Sequence, residues 1–487
     1  MGRTEPDPPP LPRQNPAQSK LPLPTPARSP AAGRPRTDSA GKPDPVALGM
    51  PPAIPDLNPA LAAQQMNQNA RLQFGPLLVM DSTYPSEGGG GAESQVGTLG
   101  RWFNANGYPA TLVTPLLREA RQIESEVIDG LPVLRLRYPR FRLIGALVLH
   151  LKLAATLWQY RHRSCAIHAH IGSWMAATCC LLGPLIGLPV FVKMTGTTEL
   201  AGGALDPDGN WLARLKRAAL TRATGYQAIS SEIVRAIIAV GLPAEKILPI
   251  ANAVDLNRFG QRRQDGVARE VGKFEAGGKH PAPPALRDQL CPGASFVMLF
   301  SGRLEQVKRL DLLLDAWRDA LAHDKSAWLV LAGAGSEREQ LEALARANGI
   351  ADRVVFTGRV AAIADYIHAA DAMALVSDSE GLSNSLLEGM AGGLPVLGSR
   401  ISGTEDFVRE GETGWLFEAG DGAMLARQLS AARATSPEAL KRLSQAAHDE
   451  VVKRASVQAV THALLHNYAL HSRPEHFVMT PERRESL

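Results

Sequence analysis

Cysteine is scarce in this sequence: four in 487 residues, Cys165, Cys179, Cys180 and Cys291, with no C-x-x-C spacing among them. That excludes a disulfide framework and a zinc site built on paired cysteines, and it suits a reducing compartment. An excess of either charge is also lacking, since 52 Lys and Arg against 48 Asp and Glu leave a net of +4. The balance gives no support to a nucleic-acid partner and is compatible with an anionic small ligand or an anionic membrane face. The first ten residues, MGRTEPDPPP, hold no apolar core of a secretory signal, and none is expected. Their Met-Gly start does not complete a myristoylation motif, because Pro6 stands where Ser or Thr is needed. The one long uncharged stretch, 174–192, is interrupted by Gly183-Pro184 and by Pro189. It reads as a helix, a turn and a buried strand of a soluble core rather than a membrane span.

What is present is a globular composition, 45% hydrophobic and 21% charged, in a chain long enough for two domains. Seventeen of the 36 prolines fall in residues 1–60. Such a segment cannot bury enough apolar surface to offset chain entropy, so 1–70 is expected to be a disordered, Pro-rich extension. From Phe74 onward, apolar strands alternate with helical patterns: strands near 74–80, 110–115, 166–170, 190–194, 226–229 and 247–249, with a helix over 92–106. The polar, Pro- and Gly-bearing stretch 260–293 breaks this rhythm and reads as a linker or hinge loop. A second series opens at 295–300 and continues at 328–332, 354–357, 372–376 and 395–398. The expected architecture is α/β, two Rossmann-like, doubly wound domains facing a cleft. They occupy 71–259 and 294–455, with a closing helix and tail over 456–487. Ligands are expected at the carboxyl ends of the strands.

The densest chemical signal is the stretch 377–396, in which Glu380 follows a strand and Glu388 stands eight residues on, inside the next helix. Gly381 permits close approach, and the amides of Ser383, Asn384 and Ser385 at a helix N-terminus make an anion site. A phosphate there, with a carboxylate to either side for hydroxyl groups, describes a nucleotide sugar. The plainer reading is a capped helix with two surface acids. Upstream, Ser301-Gly302-Arg303 ends a strand, and Lys308 follows five residues after the arginine. Two cations above the strand tips would neutralise a diphosphate. A basic pair at a helix start is otherwise unfavourable against the helix dipole, which favours the ligand reading.

These two motifs, in this order, make the chain similar to the retaining GT-B glycosyltransferases of family four. Gly90-Gly91-Ala92-Glu93, Ile167-His168-Ala169-His170, Ile229-Ser230-Ser231 and Asn252-Ala253-Val254-Asp255 resemble that family's first-domain elements. Gly333-Ala334-Gly335, Phe356-Thr357-Gly358 and Gly414-Trp415-Leu416 resemble those of its second domain. Departures are Ala253 in place of the usual glycine, and Gly389, Gly392 and Gly393 where Ala, Ala and Cys are frequent. None removes a reactive group.

The resemblance implies that Arg303 and Lys308 bind the donor diphosphate and that Glu388 holds the ribose hydroxyls. Glu380 would hold the hydroxyls of the transferred sugar, and His170 would face the donor from the first domain. Gly91 would let its loop approach the phosphates, and Gly358, Val360, Gly381, Leu382 and Ser383 to Ser385 complete the donor site. His170, Glu380, Arg303 and Lys308 are thus the catalytic candidates, while His168 is read as a packed or solvated neighbour. The implied reaction is metal-free, needs no cofactor and passes through an oxocarbenium-like transition state on the leaving diphosphate. Asp206-Pro207-Asp208 reads as a turn rather than a metal site. The acceptor implied is a glycan or lipid-linked saccharide of envelope or exopolysaccharide synthesis, handled in the cytoplasm at the inner face of the membrane. A non-catalytic nucleotide-sugar-binding protein of the same fold is the alternative. A dinucleotide oxidoreductase is disfavoured, because Arg338 occupies the third glycine position after Gly333 and Gly335. Residues 138–163, apolar with basic ends, read either as a helix packed on the sheet or as one lying on an anionic membrane.

Overall fold

A computed structural model describes residues 70–85, 90–116, 123–139, 141–196, 200, 205, 209–259 and 283–479. The expected disordered extension up to residue 69, the linker over 260–282 and the Asp206–Asp208 turn lie outside the described residues.

The first sheet contains β2 (Leu77–Met80), β3 (Thr111–Pro115), β4 (Ser125–Ile128), β5 (Leu131–Leu136), β6 (Ile167–His170), β7 (Val190–Met194), β8 (Gly225–Ala228) and β9 (Ile247–Pro249). Their order is β4-β5-β3-β2-β6-β7-β8-β9, parallel except for the edge strand β4. The strands β2, β6, β7 and β8 are buried at every residue, as the near-continuous apolar runs of a sheet covered on both faces require. Helices α1 (Gly91–Ala105), α2 (Arg142–Tyr160), α3 (Trp174–Ile186), α4 (Trp211–Leu220) and α5 (Ser231–Ala239) connect them. The uncharged 174–192 stretch is the helix α3, left-handed Gly187 at its C-cap, and then β7. Pro184 sits inside that helix rather than ending it.

Helix α6 (Pro283–Leu290) corrects the reading of irregular structure up to 293. Its Arg287 donates to the Ala369 carbonyl at 2.9 Å and pairs with Asp371 at 2.8 Å, contacts that the local sequence does not announce. The second sheet holds β10 (Phe296–Ser301), β11 (Ala327–Ala332), β12 (Val354–Gly358), β13 (Ala372–Leu375), β14 (Val396–Ser399) and β15 (Gly414–Phe417). It is all parallel, in the order β12-β11-β10-β13-β14-β15, the doubly wound arrangement in which strand order reverses between the first and fourth strands. Helices α7 (Leu310–Leu321), α8 (Arg338–Ala347), α9 (Ile363–Ala369), α10 (Asn384–Ala391) and α11 (Gly422–Ala434) connect its strands.

The chain then runs through α12 (Pro437–Ala455) into α13 (Val457–His471), which returns to the first sheet. There Val460, Leu464, Leu465 and Tyr468 join a buried cluster with Phe103 and Phe191. The last described strand, β16 (Phe477–Met479), pairs antiparallel with β1 (Ala70–Leu72). One further cluster of buried apolar side chains runs from the first sheet into the second, from Leu77 and Val192 to Leu386 and Met390.

Candidate functional site

In an open parallel sheet the crevice lies at the carboxyl ends of the strands where their order reverses. In the second sheet that point falls between β10 and β13, and the loops leaving these strands carry the two motifs. Asp378 N donates to the Val307 carbonyl at 3.0 Å, and Arg309 donates to Asp378 Oδ1 at 3.1 Å, which ties the loops together. Lys308 Nζ and Glu380 Oε1 form an ion pair across them, and Ser377 Oγ donates to the same carboxylate oxygen at 2.7 Å. Ser399 Oγ, at the end of β14, holds the Ser377 carbonyl at 2.7 Å. Arg309 itself takes a left-handed conformation (φ 48°) to start α7. Arg303 stands apart, 74% exposed at its side chain and paired loosely with Glu305 at 3.7 Å.

Helix α10 begins immediately after Ser383. The first intrahelical bond recorded there is Leu387 N to the Ser383 carbonyl at 3.4 Å, so the amides of Ser383 to Ser385 precede the ladder. The Ser383 and Ser385 hydroxyls bond each other at 2.9 Å. Glu388, half-buried one turn further in, has its carboxyl pushed up to about 7 by burial, with Arg258 opposing the shift. Gly358 ends β12 in a left-handed conformation (φ 71°), and Val360 packs against the core beyond it.

From the first domain, His170 ends β6 beside β2, the corresponding reversal point of that sheet. It is 1% exposed, and neither ring nitrogen has a hydrogen-bond partner among the described residues. Burial, then His168 and Lys193, hold it neutral by lowering its pKa well below the usual histidine range. Its neighbour His168 is pushed down to about 3, chiefly by burial, and its Nδ1 lies 2.6 Å from the Tyr468 hydroxyl on α13. The residue after the pair, Ile171, has φ 79°, a strained value for a β-branched side chain and one that marks functional loops more often than ordinary ones.

Several residues expected at the donor site also meet the other domain. A Cβ on Gly381 would fall 2.4 Å from the Thr195 carbonyl oxygen, so its bareness admits the first domain's backbone. Asn384 Nδ2 donates to the Gly91 carbonyl at 3.1 Å, while Asn384 Oδ1 accepts from Gln95 Nε2 at 3.1 Å and Asn252 Nδ2 at 3.0 Å. Asn252 Nδ2 also reaches the Leu382 carbonyl at 3.3 Å. Nearby, Ser231 N donates to Asp406 at 2.8 Å and Glu232 N to Ser402 Oγ at 2.8 Å, so second-domain side chains cap α5. Gln95 and Lys193 are polar residues of this region that the sequence reading did not single out. A lysine inside the apolar run Val190-Phe191-Val192-Lys193-Met194 was the available signal for the second. Among the described residues no group of three or more His, Cys, Asp or Glu is placed to hold a metal ion.

Two doubly wound α/β sheets, each with its candidate residues at the strand ends, define a two-domain α/β class of protein. Family models narrow it: the Glycosyl transferase 4-like domain matches residues 90–253, and Glycosyl transferases group 1 matches residues 285–450. The chain belongs to the group 1 glycosyltransferases and has the GT-B fold. The lipopolysaccharide core biosynthesis glycosyltransferase LpsD of Rhizobium meliloti is 33% identical over 186 residues, 38% of this chain and 53% of its own length. N-acetyl-alpha-D-glucosaminyl L-malate synthase of Bacillus anthracis is 25% identical over 264 residues, 54% of this chain and 63% of its own. The match thus spans about half to under two thirds of these curated relatives. The crystal structure of Anabaena HepE in complex with UDP and glucose shares the fold, with a TM-score of 0.62 and 20% identity over 81% of this chain and 100% of that one.

Proposed function

We propose that the protein is a retaining glycosyltransferase that moves a sugar from a nucleotide-diphosphate sugar to a glycan or lipid-linked saccharide in envelope or exopolysaccharide synthesis. The observation that carries this reading is the meeting of Lys308 and Glu380 at the strand-order reversal, beside the free amides that open α10. With donor bound, the diphosphate takes Lys308, Arg303 and the amides of Ser383 to Ser385. Glu380 is then released to accept from hydroxyls of the sugar, and Glu388 accepts from the ribose. Neutral His170, whose ring nitrogens have no partner among the described residues, can donate to the sugar or accept from it. As the sugar C1–O bond breaks, its electron pair goes to the diphosphate oxygen. The fixed cations stabilise the charge gathering there, so this chemistry calls on no metal ion. The acceptor hydroxyl forms the new bond on the same face and gives its proton to the departing phosphate. The UDP and glucose bound by HepE support the donor class, and the pathway named for LpsD supports the acceptor class. Cytoplasmic placement, at the inner face of the membrane, follows from that pairing of donor and acceptor.

The test is a thermal-shift and hydrolysis screen of UDP-, GDP- and ADP-sugars on the wild type and Glu388→Ala. A donor that stabilises only the wild type and slowly releases nucleoside diphosphate establishes the site and names the base. Stabilisation without turnover, even with saccharide acceptors added, favours a binding protein. No response to any donor refutes the reading.

A further inference from the structure

Helices α2, α3 and α4 lie side by side on the first domain, with α3 packed against both neighbours. On each of them large apolar side chains face solvent. Leu147 and Leu151 are each 61% exposed on α2, with Trp158 on the same stripe two turns further along. Leu185 on α3 is 76% exposed, and Trp211 on α4 is 71% exposed with Leu215 beside it. A monomeric soluble domain rarely leaves so many large apolar residues uncovered on adjoining elements. The patch also has a consistent charge: none of the three helices contains Asp or Glu, while Lys152 on α2 and Arg214 on α4 are exposed.

We propose that this three-helix face is a docking surface for an anionic lipid bilayer, on which the protein lies with α2 in the plane of the headgroups. Length and composition alone would let α2 cross a membrane. Its opposite face forbids that, because Leu153 and Leu157 are fully buried in the domain core and His150 Nδ1 lies 2.8 Å from Thr178 Oγ1 of α3. The helix is thus held by the fold with one stripe outward, the geometry of an interfacial anchor. Tryptophan on the exposed face of α2 and of α4 is the residue type that settles at the headgroup level, and lysine and arginine without acids match an anionic surface. A second copy of the chain fits the same face poorly, because it would set cationic groups against their own like. The assignment rests in part on the lipid-linked acceptor proposed above, which needs an enzyme held at the bilayer.

The experiment is co-sedimentation of the full chain with vesicles of pure phosphatidylcholine or of phosphatidylcholine with phosphatidylglycerol, at low and high salt. The variants are Leu147→Glu/Leu151→Glu and Trp211→Glu, and donor-induced thermal shift is measured on the same samples. The wild type should pellet with anionic vesicles at low salt, and each variant should lose at least tenfold in partition while keeping its donor response. That response keeps failure of the membrane assignment distinct from failure of the donor site. Absence of binding to anionic vesicles overturns the proposal, as does binding that the substitutions leave unchanged. A wild-type dimer in solution that the substitutions convert to monomer also overturns it, and gives the face to a second copy.

Discussion

Replacing Glu388 with Gln should stabilise the empty protein at alkaline pH while abolishing its response to donor. Burial moves this carboxyl from 4.5 to about 7 in the folded state. Between those values the native protein retains a proton that the unfolded chain has released, so stability from this group is full below pH 4.5 and is lost as pH rises through 7. Above pH 7 the ionised carboxylate costs about 3 kcal/mol relative to its unfolded reference. Glutamine keeps the shape and removes the charge, so E388Q should exceed the wild type by about 3 kcal/mol at pH 8 and match it near pH 4.5. Denaturant titrations of both proteins at intervals from pH 5 to 8 read the difference directly, with the background pH dependence common to both. A difference of zero at pH 8 would refute the reasoning, and so would a gap that stays constant down to pH 5. If Glu388 receives the ribose hydroxyls, the same variant gains stability and loses the donor-induced thermal shift. A group kept at a cost to the empty fold is what a binding residue looks like.

Lys308→Ala removes the cation nearest Glu380, and turnover should fall on the order of 10²-fold or more if that charge stabilises the departing diphosphate; a near wild-type rate in a donor assay would sink its assignment. Gly381→Ala places a Cβ 2.4 Å from the Thr195 carbonyl oxygen, a clash with backbone that the two loops must move apart to relieve. Small-angle scattering should show an expanded particle and kcat/KM should drop, whereas unchanged scattering and kinetics would mean that the two backbones do not need to meet.

The legible parts of this molecule are those whose signal is local. Lys308 and Glu380 could be placed because each loop declares itself by a strand end, a glycine and a charge, and the parallel sheet sets those ends side by side. The hairpin β4–β5 was legible too and went unread. Asp129-Gly130 between alternating apolar residues is a two-residue turn signature, and both residues have positive φ, 48° and 78°, as the mirror-image turn demands. Other features have no local signal. Strands β1 and β16 come from opposite ends of the described chain, each three residues long. The helix α6 forms in a polar stretch because Arg287 finds Asp371 across the second domain. Gly381 and Asn384 belong to a motif that reads as a ligand cradle, and nothing local to it announces that they also meet Thr195 and Gly91, in the other domain. A glycine or asparagine in sequence announces close approach and hydrogen bonding, without naming what approaches.

Those cross-domain contacts bear on how a donor could enter. His170 is buried and Lys308 is paired with Glu380, so a donor that meets both needs the crevice between the domains to open. Opening it costs little in hydrogen bonds. Gln95 keeps its own-domain bonds to Ala253, at 2.8 and 2.7 Å, whether or not Asn384 withdraws. The groups that separate include the Asn252 and Asn384 amides and the caps on α5, all of which water can satisfy once exposed, at about 1 kcal/mol net for each bond, together with those apolar contacts of the shared cluster that lie across the crevice. The connection through α13 is of another kind. Val254 N donates to the Ala455 carbonyl at 2.8 Å and Val457 N to the Val254 carbonyl at 2.9 Å, and Tyr468 is fully buried against the first sheet. Breaking that would expose apolar core as well as hydrogen bonds, so movement of the second domain has its anchor where α12 passes into α13 and its free side at the crevice. The same helix, α13, reaches the first-domain histidines, because the Tyr468 hydroxyl lies 2.6 Å from His168 Nδ1 and the His168 and His170 rings are 4.8 Å apart. One helix, crossing back to the first sheet, thereby touches the first-domain histidines at one point and the Val254 junction of the two domains at its start.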